Sequence, residues 1–433
     1  MEEDSREILS PLLEKPQIQK QFELLDRVVS ESQKRVDYTT AHDPDVLKAI
    51  EIVERFLRKQ RRVCYGGQAI NALLPKSRKF YDPMYTIPDY DFFSPNNRAD
   101  TDELVGMLET AGFTDVSKKL GVHEGTIKVY VNFIPVADIS YMPPEVFKVI
   151  QRRAKDVDGI LYSDPDFLRM LIYLELSRPR GEVKRWKKVY ERLTLLNDSF
   201  PVGRCDEQLR VSAVDQGDRR QLLEFTIKHK RVLASPEIIE LFESNQSHKR
   251  LESLIRRGGP VIFFTDNAAA DSEDLKSILS NRIGGGIKAQ AIVAVTDQLY
   301  NVITLKRRNL PIALLVQQDA CHAYTTLKLD EHQELRLATP DLLLNLYYSF
   351  MLFGKKEKAY FETSLECIIE KIHSVLKVSR DRPTDFVPAF GLRCSGKQKG
   401  ISTLLREKAA RTETERKGTR KRNKNNKRVS RKA

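Results

Sequence analysis

Residues 65–94 read YGGQAINALLPKSRKFYDPMYTIPDYDFFS, and this stretch decides the fold. A short apolar strand at residues 63–65 runs directly into a Gly-Gly turn at residues 66–67, and a helical pattern of apolar residues follows. After a proline-rich connection the chain reaches Asp89 and Asp91, which the side-chain period of a strand places on one face. A strand, a Gly-Gly turn and a helix, followed by another strand, indicate an α/β lobe.

The chemistry of this stretch is that of a nucleotide–metal site. Two carboxylates about 7 Å apart on one face of a buried strand are costly unless a positive charge lies between them. Mg²⁺ is the usual partner, because it takes carboxylate and phosphate oxygens together. Gly66 and Gly67 begin a helix, so their backbone N–H groups are available to the phosphates of the same ligand.

A third acid, Asp138, ends a segment from Thr126 to Ile139 that is rich in β-branched and aromatic residues and is strand-like. Asp138 has two interpretations. It caps the turn at residues 140–144, or its strand lies beside that of Asp89 and Asp91 and the three carboxylates converge. The presence of the other two acids favours the second interpretation, in which Asp138 is a metal ligand.

Composition describes an ordinary globular protein of about two or three domains: 433 residues, 41% hydrophobic and 31% charged. The acidic N-terminus has no secretory-signal pattern. The longest apolar stretch, residues 342–354, is too short to cross a bilayer, so no membrane partner is expected. The five cysteines are far apart and form no zinc motif, which predicts reduced thiols in a cytosolic or nuclear compartment.

The net charge of +13 favours a polyanionic partner, but most of it is local. Residues 411–433 hold eleven Lys or Arg against two Glu, which is a net of +9. This basic tail has almost nothing apolar to bury, so it is predicted to be disordered. A nucleic-acid arm, a nuclear-localisation-like run and a solubilising extension all fit its composition.

Helices follow the predicted site. Asp43 and Pro44 begin one helix, and Ser163–Asp166 begins another that carries Arg169. A further helix at residues 183–196 carries a basic stripe that is either solvated or faces the phosphates across from the acids. The basic candidates for binding the phosphates of a nucleotide are Arg169, Lys188 and Arg192.

A weak internal repeat relates residues 164–168 to residues 339–343 at an offset of 175. Strand-like segments precede the second copy, so the chain is predicted to be α/β (α+β), with two tandem lobes of mixed sheet plus helices. The second lobe has Gly284–Gly286 but no strand–Gly-Gly–helix turn and no Asp-x-Asp, and Asp319 falls near the place of Asp138. The predicted strands are residues 261–265, 291–296, 301–305 and 311–316. The predicted domains are 1–42 (helical), 43–200 (first lobe), 201–400 (second lobe, without a metal site) and 401–433 (basic tail).

Gly-Gly at a helix start, Asp-x-Asp on a strand and a lone Asp on a later strand resemble the pattern of polymerase-β-like nucleotidyltransferases. Longer motifs narrow the resemblance to the poly(A) polymerase catalytic subunits of nucleocytoplasmic large DNA viruses, of the giant-virus and asfarvirus type and more distantly the poxvirus type. The motifs are YGGQAIN (65–71), PDYDFFS (88–94), YSDPDFLRMLIYLELSRP (162–179) and RWKKVYERL (185–193).

This resemblance implies two nucleotidyltransferase-like lobes, the second inactive, and a template-independent polynucleotide adenylyltransferase that adds AMP from ATP to an mRNA 3′ end. It implies that Asp89, Asp91 and Asp138 bind two Mg²⁺ or Mn²⁺ ions. Gly66 and Gly67 would hold the triphosphate. Gln68 is the next nucleotide-binding candidate; it stands where Ser is common in the superfamily and has no hydroxyl for the phosphate contact that a Ser could make.

The resemblance also bears on partners and location. Giant-virus members suggest a homodimer, whereas the poxvirus type uses a separate processivity subunit, and the sequence does not choose between them. The expected location is the host cytoplasm or viral factory, with packaging in the virion, and the basic tail leaves nuclear entry open. Two other functions remain open, namely a nucleotidyltransferase with a different acceptor and a catalytically idle RNA-binding subunit.

Overall fold

The computed structural model describes residues 15–256, 258–280, 286–292, 299–354 and 360–414. Within them the chain forms two α/β lobes in tandem, each built on a mixed sheet. The elements of the first lobe are α1 (Pro16–Ala41), α2 (Pro44–Gln60), β1 (Val63–Cys64), α3 (Gly66–Leu73), β2 (Tyr90–Ser94), α4 (Asn97–Thr110), β3 (Val116–Leu120), β4 (Thr126–Val131), β5 (Ile134–Tyr141), α5 (Pro144–Arg153), β6 (Lys155–Val157), β7 (Ile160–Tyr162), α6 (Pro165–Leu176) and α7 (Trp186–Ser199).

The second lobe follows with elements of the same kinds. These are α8 (Gln216–Lys228), β8 (Val232–Leu233), α9 (Ile238–Glu243), α10 (Leu251–Arg256), β9 (Val261–Thr265), α11 (Ala268–Ser280), β10 (Ile287–Ile292), β11 (Val302–Arg307), β12 (Leu310–Gln317), β13 (His322–Lys328), β14 (Glu334–Ala338), α12 (Pro340–Phe353), α13 (Leu365–Asp381) and β15 (Cys394–Ser395).

The two sheets have the same strand order. The first runs β3-β4-β5-β2-β1-β7-β6, and the second runs β10-β11-β12-β9-β8-β14-β13, with β15 added at its edge. In both sheets the central pair is parallel, β2 with β5 and β9 with β12. The prediction of two tandem lobes is therefore confirmed, while the domain boundaries drawn from the sequence stay predictions.

The repeat noticed in the sequence places α6 and α12 side by side between the lobes. The Asn345 side chain on α12 donates a hydrogen bond to the carbonyl oxygen of Met170 on α6, at 2.8 Å across a separation of 175 residues. Tyr173 and Tyr348, also related by the repeat, lie with their rings 6.3 Å apart and nearly parallel. The two copies thus pack through equivalent positions, and one buried core runs through both lobes.

The helix α2 shows why the first lobe forms where it does. The Asp43 carboxylate accepts hydrogen bonds from the backbone N–H groups of Asp45 and Val46, and Pro44 occupies the first turn. The apolar stripe that includes Val53 and Leu57 is fully buried against the sheet. Each such side chain stabilises the fold by about 1.5–3 kcal/mol.

Two predictions about local structure were wrong. The segment 126–139 is a hairpin, β4 and β5, because Asn132 and Phe133 turn the chain with positive φ angles of 48° and 65°. Residues 401–414 are helical, so the disordered tail is wrong over that part. This segment is rich in strong helix formers, and Lys399 pairs with Glu407 at 2.9 Å. Residues 415–433 lie outside the described residues.

The cysteines also differ from expectation, since Cys205 is disulfide-bonded to Cys367 and Cys321 to Cys394. Only Cys64 among the five is a free thiol. Across the part of the chain that the structure describes, no helix combines the length and apolarity that a bilayer crossing requires. Gly284 and Gly285, with the end of the strand predicted at 291–296, lie outside the described residues.

Candidate active site

The strands β2 and β5 bring the predicted acids together. They are parallel neighbours in which Asp91 is paired directly with Asp138, so both side chains leave the same face of the sheet. Asp89 precedes Asp91 by one side-chain period and completes the set. The backbone N–H of Tyr65 donates to the carbonyl oxygen of Asp91 at 2.9 Å, which fixes the end of β1 beside the acids. Asp91 and Asp138 are thus side by side on neighbouring strands, and the role of the three acids as metal ligands stays a prediction.

The Gly-Gly turn lies against this acid cluster (Asp89, Asp91 and Asp138). Gly66 has a φ of +72°, and a Cβ atom there would lie 2.8 Å from Oδ2 of Asp91. A Cβ on Gly67 would lie 2.6 Å from both the Arg192 guanidinium and the Tyr81 hydroxyl. A residue with a side chain fits neither position unless Asp91, Arg192 or Tyr81 moves, and the turn begins α3, whose first N–H groups have no acceptor within the helix.

The electrostatics of the cluster are those of like charges removed from water. Burial raises the pKa of Asp91 to about 7, and the charges of Asp89 and Asp138 act in the same direction. Burial and the charge of Asp138 likewise raise the pKa of Asp89. Carboxylates held together in this way gain most from a multivalent cation between them.

Lys128 is the functional residue that the sequence did not reveal. It is paired with Asp138 across β4 and β5, and its ammonium group bonds to Oδ2 of Asp138. The second oxygen, Oδ1, is buried and has no hydrogen-bond partner among the described residues. The alternation of residues 126–131 shows which of them share a face of the strand. Placing Lys128 opposite Asp138 also requires the register of the hairpin, which the sequence does not give.

The donor chemistry of the cluster fits a hard divalent cation, since every donor is a carboxylate oxygen and the buried Oδ1 of Asp138 is free to coordinate. Among the described residues, however, no group of three His, Cys, Asp or Glu side chains is close enough to form a finished metal site. Lys128 is paired with one of the three carboxylates, that of Asp138.

The basic stripe of α7 lies within electrostatic range of the cluster, although Arg185 and Lys188 are exposed, and its contact with phosphates stays a prediction. Arg192 donates to the Tyr81 hydroxyl at 2.6 Å and lies over the Phe80 ring. The charges of Lys188 and Arg192 act to lower the pKa of Asp89, and Arg185 acts in the same way on Asp91, each against the larger effect of burial. A positively charged wall thus stands opposite the acids.

Two other candidates lie elsewhere. Arg169 is only 2% exposed. Its guanidinium joins α6 to α7, because it donates hydrogen bonds to Asp166, Asn197 and the carbonyl oxygen of Phe200. The structure therefore does not bring Arg169 to the cluster. Gln68 lines an adjoining cavity of about 330 Å³ between α2 and the connection that leads to β2.

The second lobe has no equivalent cluster among its described residues. The registers of the two sheets align Asp91 and Asp138 with Ile262 and Leu314, which are paired in the same way. Asp89 then corresponds to Pro260. Asp319, which falls near the place of Asp138 in the repeat, follows the end of β12, and Leu314 occupies the position paired with Ile262. In the second lobe, which was predicted to lack the metal site, apolar residues stand at the positions that correspond to the acids.

Comparison with known proteins agrees with this geometry. Residues 51–182 match the profile of the family described as poly(A) polymerase catalytic subunit. The resemblance predicted from the motifs is confirmed. A poly(A) polymerase catalytic subunit of Acanthamoeba polyphaga mimivirus is 34% identical over 168 residues, which are 37% of this chain and 28% of that protein. One from African swine fever virus is 34% identical over 181 residues, which are 40% and 38% of the two chains.

The matches to these two relatives span only about a third of the relatives' own length, and the profile match covers the segment that holds the acid cluster. The similarity in fold extends well beyond these matched segments. The crystal structure of the Megavirus polyadenylate synthase superposes with a TM-score of 0.76 at 18% identity, over 93% of this chain and 84% of that one. The whole two-lobe architecture, including the lobe that lacks the acids, is therefore shared with that structure.

Proposed function

We propose that this chain is a template-independent polynucleotide adenylyltransferase that adds AMP from ATP to the 3′ end of viral mRNA. One observation carries the proposal: Asp91 and Asp138 are paired on parallel strands, with Asp89 beside them, against a Gly-Gly turn. The likeness of residues 51–182 to poly(A) polymerase catalytic subunits supports ATP and RNA as the substrates.

In this proposal Asp89, Asp91 and Asp138 hold two Mg²⁺ or Mn²⁺ ions. Such ions, when bound, lower the pKa of the RNA 3′ hydroxyl and neutralise the departing pyrophosphate. The reaction joins the 3′ oxygen to the α-phosphorus of ATP and breaks the bond from that phosphorus to the pyrophosphate oxygen. No protein nucleophile is required, so the work of the chain is orientation and charge stabilisation.

The protein groups that orient ATP are those beside the turn. Backbone N–H groups at Gly66 and Gly67, at the start of α3, would receive the triphosphate, and the close approach of the Arg192 guanidinium to Gly67 would place a positive charge beside it. Arg192 is held in place by Tyr81 and, with Lys188, supplies positive charge next to the acids. The ring contacts of Arg192 keep it extended toward Gly67 and limit the reorganisation that substrate binding requires.

The decisive experiment is extension of a labelled oligoribonucleotide by purified protein with each of the four NTPs supplied separately. We expect a Mg²⁺- or Mn²⁺-dependent ladder with ATP and a loss of rate of about 10³-fold or more in Asp89→Ala/Asp91→Ala. Asp102→Ala is the matched control, since that carboxylate is exposed and pairs with Lys118 away from the cluster. Transfer to a non-RNA acceptor would support a different nucleotidyltransferase, and ATP binding without transfer would support an idle RNA-binding subunit.

We also propose that the chain forms a homodimer. The support is α1, which exposes apolar side chains at heptad spacing along its length, including Phe22, Leu25, Val29 and Val36. Light scattering after size exclusion should give twice the chain mass for the wild type and the single chain mass for Leu25→Glu/Val29→Glu. A monomeric wild type would favour a separate processivity subunit.

For location, we propose the host cytoplasm or viral factory and the virion, because the relatives are viral proteins. Immunofluorescence of infected cells and proteomics of purified particles test this. A nuclear signal that depends on residues 415–433 would instead assign an import role to the basic tail.

A further inference from the structure

A cavity of about 330 Å³ lies beside the candidate active site, and the chemistry proposed above leaves it unused. The end of α1, the helices α2 and α3 and the connection from α3 to β2 form its walls. Tyr81 lines the cavity, and its hydroxyl accepts a hydrogen bond from Arg192 beside Gly67. Pro88 also lines the cavity and directly precedes Asp89. The cavity therefore adjoins the place proposed for the triphosphate.

The lining of the cavity combines apolar walls with a few polar groups. Ile50 of α2 and Ile87 and Pro88 of the connection are among the apolar residues. The polar residues are Glu51, Glu54, Gln68, Asn71, Tyr81 and Thr86. Sites for small molecules have this composition and volumes of roughly 300–1,000 Å³, so the cavity has room for one small molecule.

Asn71 supplies a buried polar group that protein contacts leave half satisfied. It is only 7% exposed and lies on α3 at the cavity wall. Its Oδ1 accepts hydrogen bonds from the backbone N–H groups of Phe80 and Tyr81, at 2.9 and 3.1 Å. Because both partners are donors, this atom is the amide oxygen, and the nitrogen Nδ2 remains a donor with no acceptor among the described residues. A buried donor left without an acceptor costs about 1–3 kcal/mol, which a ligand that accepts from it would remove.

Glu51 supplies an acceptor in the same cavity. It lies one helical turn before Glu54 on α2, and both residues line the cavity. The Glu54 carboxylate is engaged, since it accepts from the Tyr90 hydroxyl at 2.8 Å and pairs with Arg58 at 2.8 Å. Glu51 has neither a hydrogen bond nor an ion pair within the part of the chain that the structure describes. The cavity thus offers one carboxylate acceptor and one amide donor to a ligand.

Contacts within the protein hold the shape of the cavity. The two bonds to Asn71 fix the connection after it leaves α3. The Asp82 carbonyl oxygen then accepts from the N–H groups of Tyr85 and Thr86, at 3.0 and 2.8 Å. The Asp82 carboxylate accepts from the N–H of Met84 at 2.9 Å, which closes the turn at this wall of the cavity. A cavity formed in advance lowers the ordering cost of binding a ligand.

We propose that this cavity receives the adenine base of ATP, with Glu51 accepting from its exocyclic amine and Asn71 donating to a ring nitrogen. Adenine is flat, so its faces suit the apolar walls, and its edge carries an amine donor next to ring-nitrogen acceptors. The inference rests on the proposed function for the identity of the nucleotide. It gives Gln68, which lines the cavity, a place beside the base instead of beside a phosphate. The cavity then selects ATP over nucleotides whose base carries an oxygen in place of the amine.

The first test separates the base from the triphosphate, by calorimetric Kd values for ATP–Mg²⁺ and for tripolyphosphate–Mg²⁺. The variant is Leu47→Trp, which enlarges a side chain that lines the cavity and is 48% exposed. The larger ring should raise the Kd of ATP by about tenfold or more and leave that of tripolyphosphate within about twofold. Val378→Trp, at a 64% exposed position on α13, is the matched control and should change neither value. An unchanged Kd of ATP in Leu47→Trp, or an equal loss for both ligands, would overturn the proposal.

The second test concerns the edge of the base and uses Glu51→Gln, an exposed and nearly isosteric change. A Gln amide can donate to the oxygen that inosine carries in place of the adenine amine, whereas a carboxylate repels that oxygen. The ratio of kcat/KM for ATP to kcat/KM for ITP should therefore fall by about tenfold, mainly through KM. Glu109→Gln, exposed on α4, should keep the wild-type ratio. A wild-type ratio in Glu51→Gln would refute the role of Glu51 in reading the base.

Location is tested by photolabelling with 8-azido-ATP and mapping the labelled peptides. Label should fall within residues 41–54 or 81–88 and be lost in excess ATP, and label confined to other segments would contradict the proposal. If Leu47→Trp instead weakened binding of RNA primers ending in A while ATP binding stayed intact, the cavity would belong to the acceptor and the proposal would be wrong.

Failure of the proposed function is seen separately from failure of this inference. A wild type that binds ATP through the cavity but transfers no AMP to RNA would overturn the proposed function alone. AMP transfer by a wild type whose ATP affinity is unchanged in Leu47→Trp would overturn the assignment of the cavity alone.

Discussion

At the scale of single residues, the acid cluster is a source of instability, because its carboxylates are buried close to one another. The pKa of Asp91 is raised from its ordinary value of 3.8 to about 7 by burial and by the neighbouring carboxylates. Between these values the folded state keeps a proton that the unfolded state has lost. Stability should therefore fall as pH rises through this range and stay low above pH 7.

The substitution Asp91→Asn removes the free-energy cost of ionising this buried carboxylate. In EDTA we expect the variant to exceed wild type in free energy of unfolding by on the order of 1 to 3 kcal/mol at pH 8, and by little near pH 4. Chemical denaturation at both pH values measures the difference. Stabilisation by Mn²⁺, which requires the ionised cluster, should grow in wild type from pH 6 to 8 and be absent in the variant. Equal stability of the two proteins across the range would contradict the raised pKa.

Lys128 is the second residue with a prediction of its own, because it occupies Asp138 where a metal would bind. Lys128→Met should destabilise the metal-free protein by about 1–2 kcal/mol through the loss of a partly buried ion pair. It should also increase the rise in Tm that Mn²⁺ produces at pH 8.5, since the competing ammonium is gone. Lys128→Arg keeps the charge and should restore wild-type behaviour. Metal stabilisation identical in all three would show that Lys128 is only structural.

At the scale of secondary structure, the sequence pattern predicted those features that depend only on residues close together in the chain. The period of two identified Asp89 and Asp91 as one pair, and the capping signals located α2 and α6. The sequence did not reveal the registers between strands. The role of Lys128 was missed for the same reason, because its pairing across β4 and β5 depends on the turn at residues 132–133. Arg169 was misplaced for a related reason: helical spacing shows which residues share a face, but not which face α7 covers.

The Gly-Gly turn is an element whose sequence requirement can be tested directly. Gly67→Ala places a methyl group 2.6 Å from Arg192 and Tyr81, and Gly66→Ala forces a left-handed φ beside Asp91. Each should weaken ATP–Mg²⁺ binding by about tenfold or more in calorimetry, because the turn and the Arg192 side chain must move. Gly106→Ala is the control. It lies within α4 with open space around it, so it should leave binding unchanged and stabilise the helix by about 0.5–1 kcal/mol.

At the scale of the whole molecule, duplication explains the arrangement of the two lobes. The second sheet keeps the strand order of the first, but Pro260, Ile262 and Leu314 stand in place of the acids. Because α6 and α12 pack against each other, the second lobe supports the helix that leads into the basic wall of α7. The internal repeat was detectable in the sequence at these two helices, because both copies are constrained by the core. It was not detectable at the strands where the second lobe lacks the acids.

The disulfides also act on the whole molecule, and the wide spacing of the cysteines concealed them. Cys205–Cys367 closes a loop of 162 residues and Cys321–Cys394 one of 73. Loops of this size are associated with about 2–4 kcal/mol of stabilisation per bond. Oxidised protein unfolded in guanidinium without reductant should therefore titrate one thiol per chain, that of Cys64, and reductant should lower Tm by several degrees.

Cys64→Ala separates this prediction from any effect of the free thiol. The variant should titrate no thiol when oxidised and unfolded, yet lose as much Tm on reduction as wild type, because both disulfides remain. Cys394→Ser should show two thiols, those of Cys64 and Cys321, because only the Cys205–Cys367 bond remains. Five thiols in the wild type would instead establish that all the cysteines are reduced.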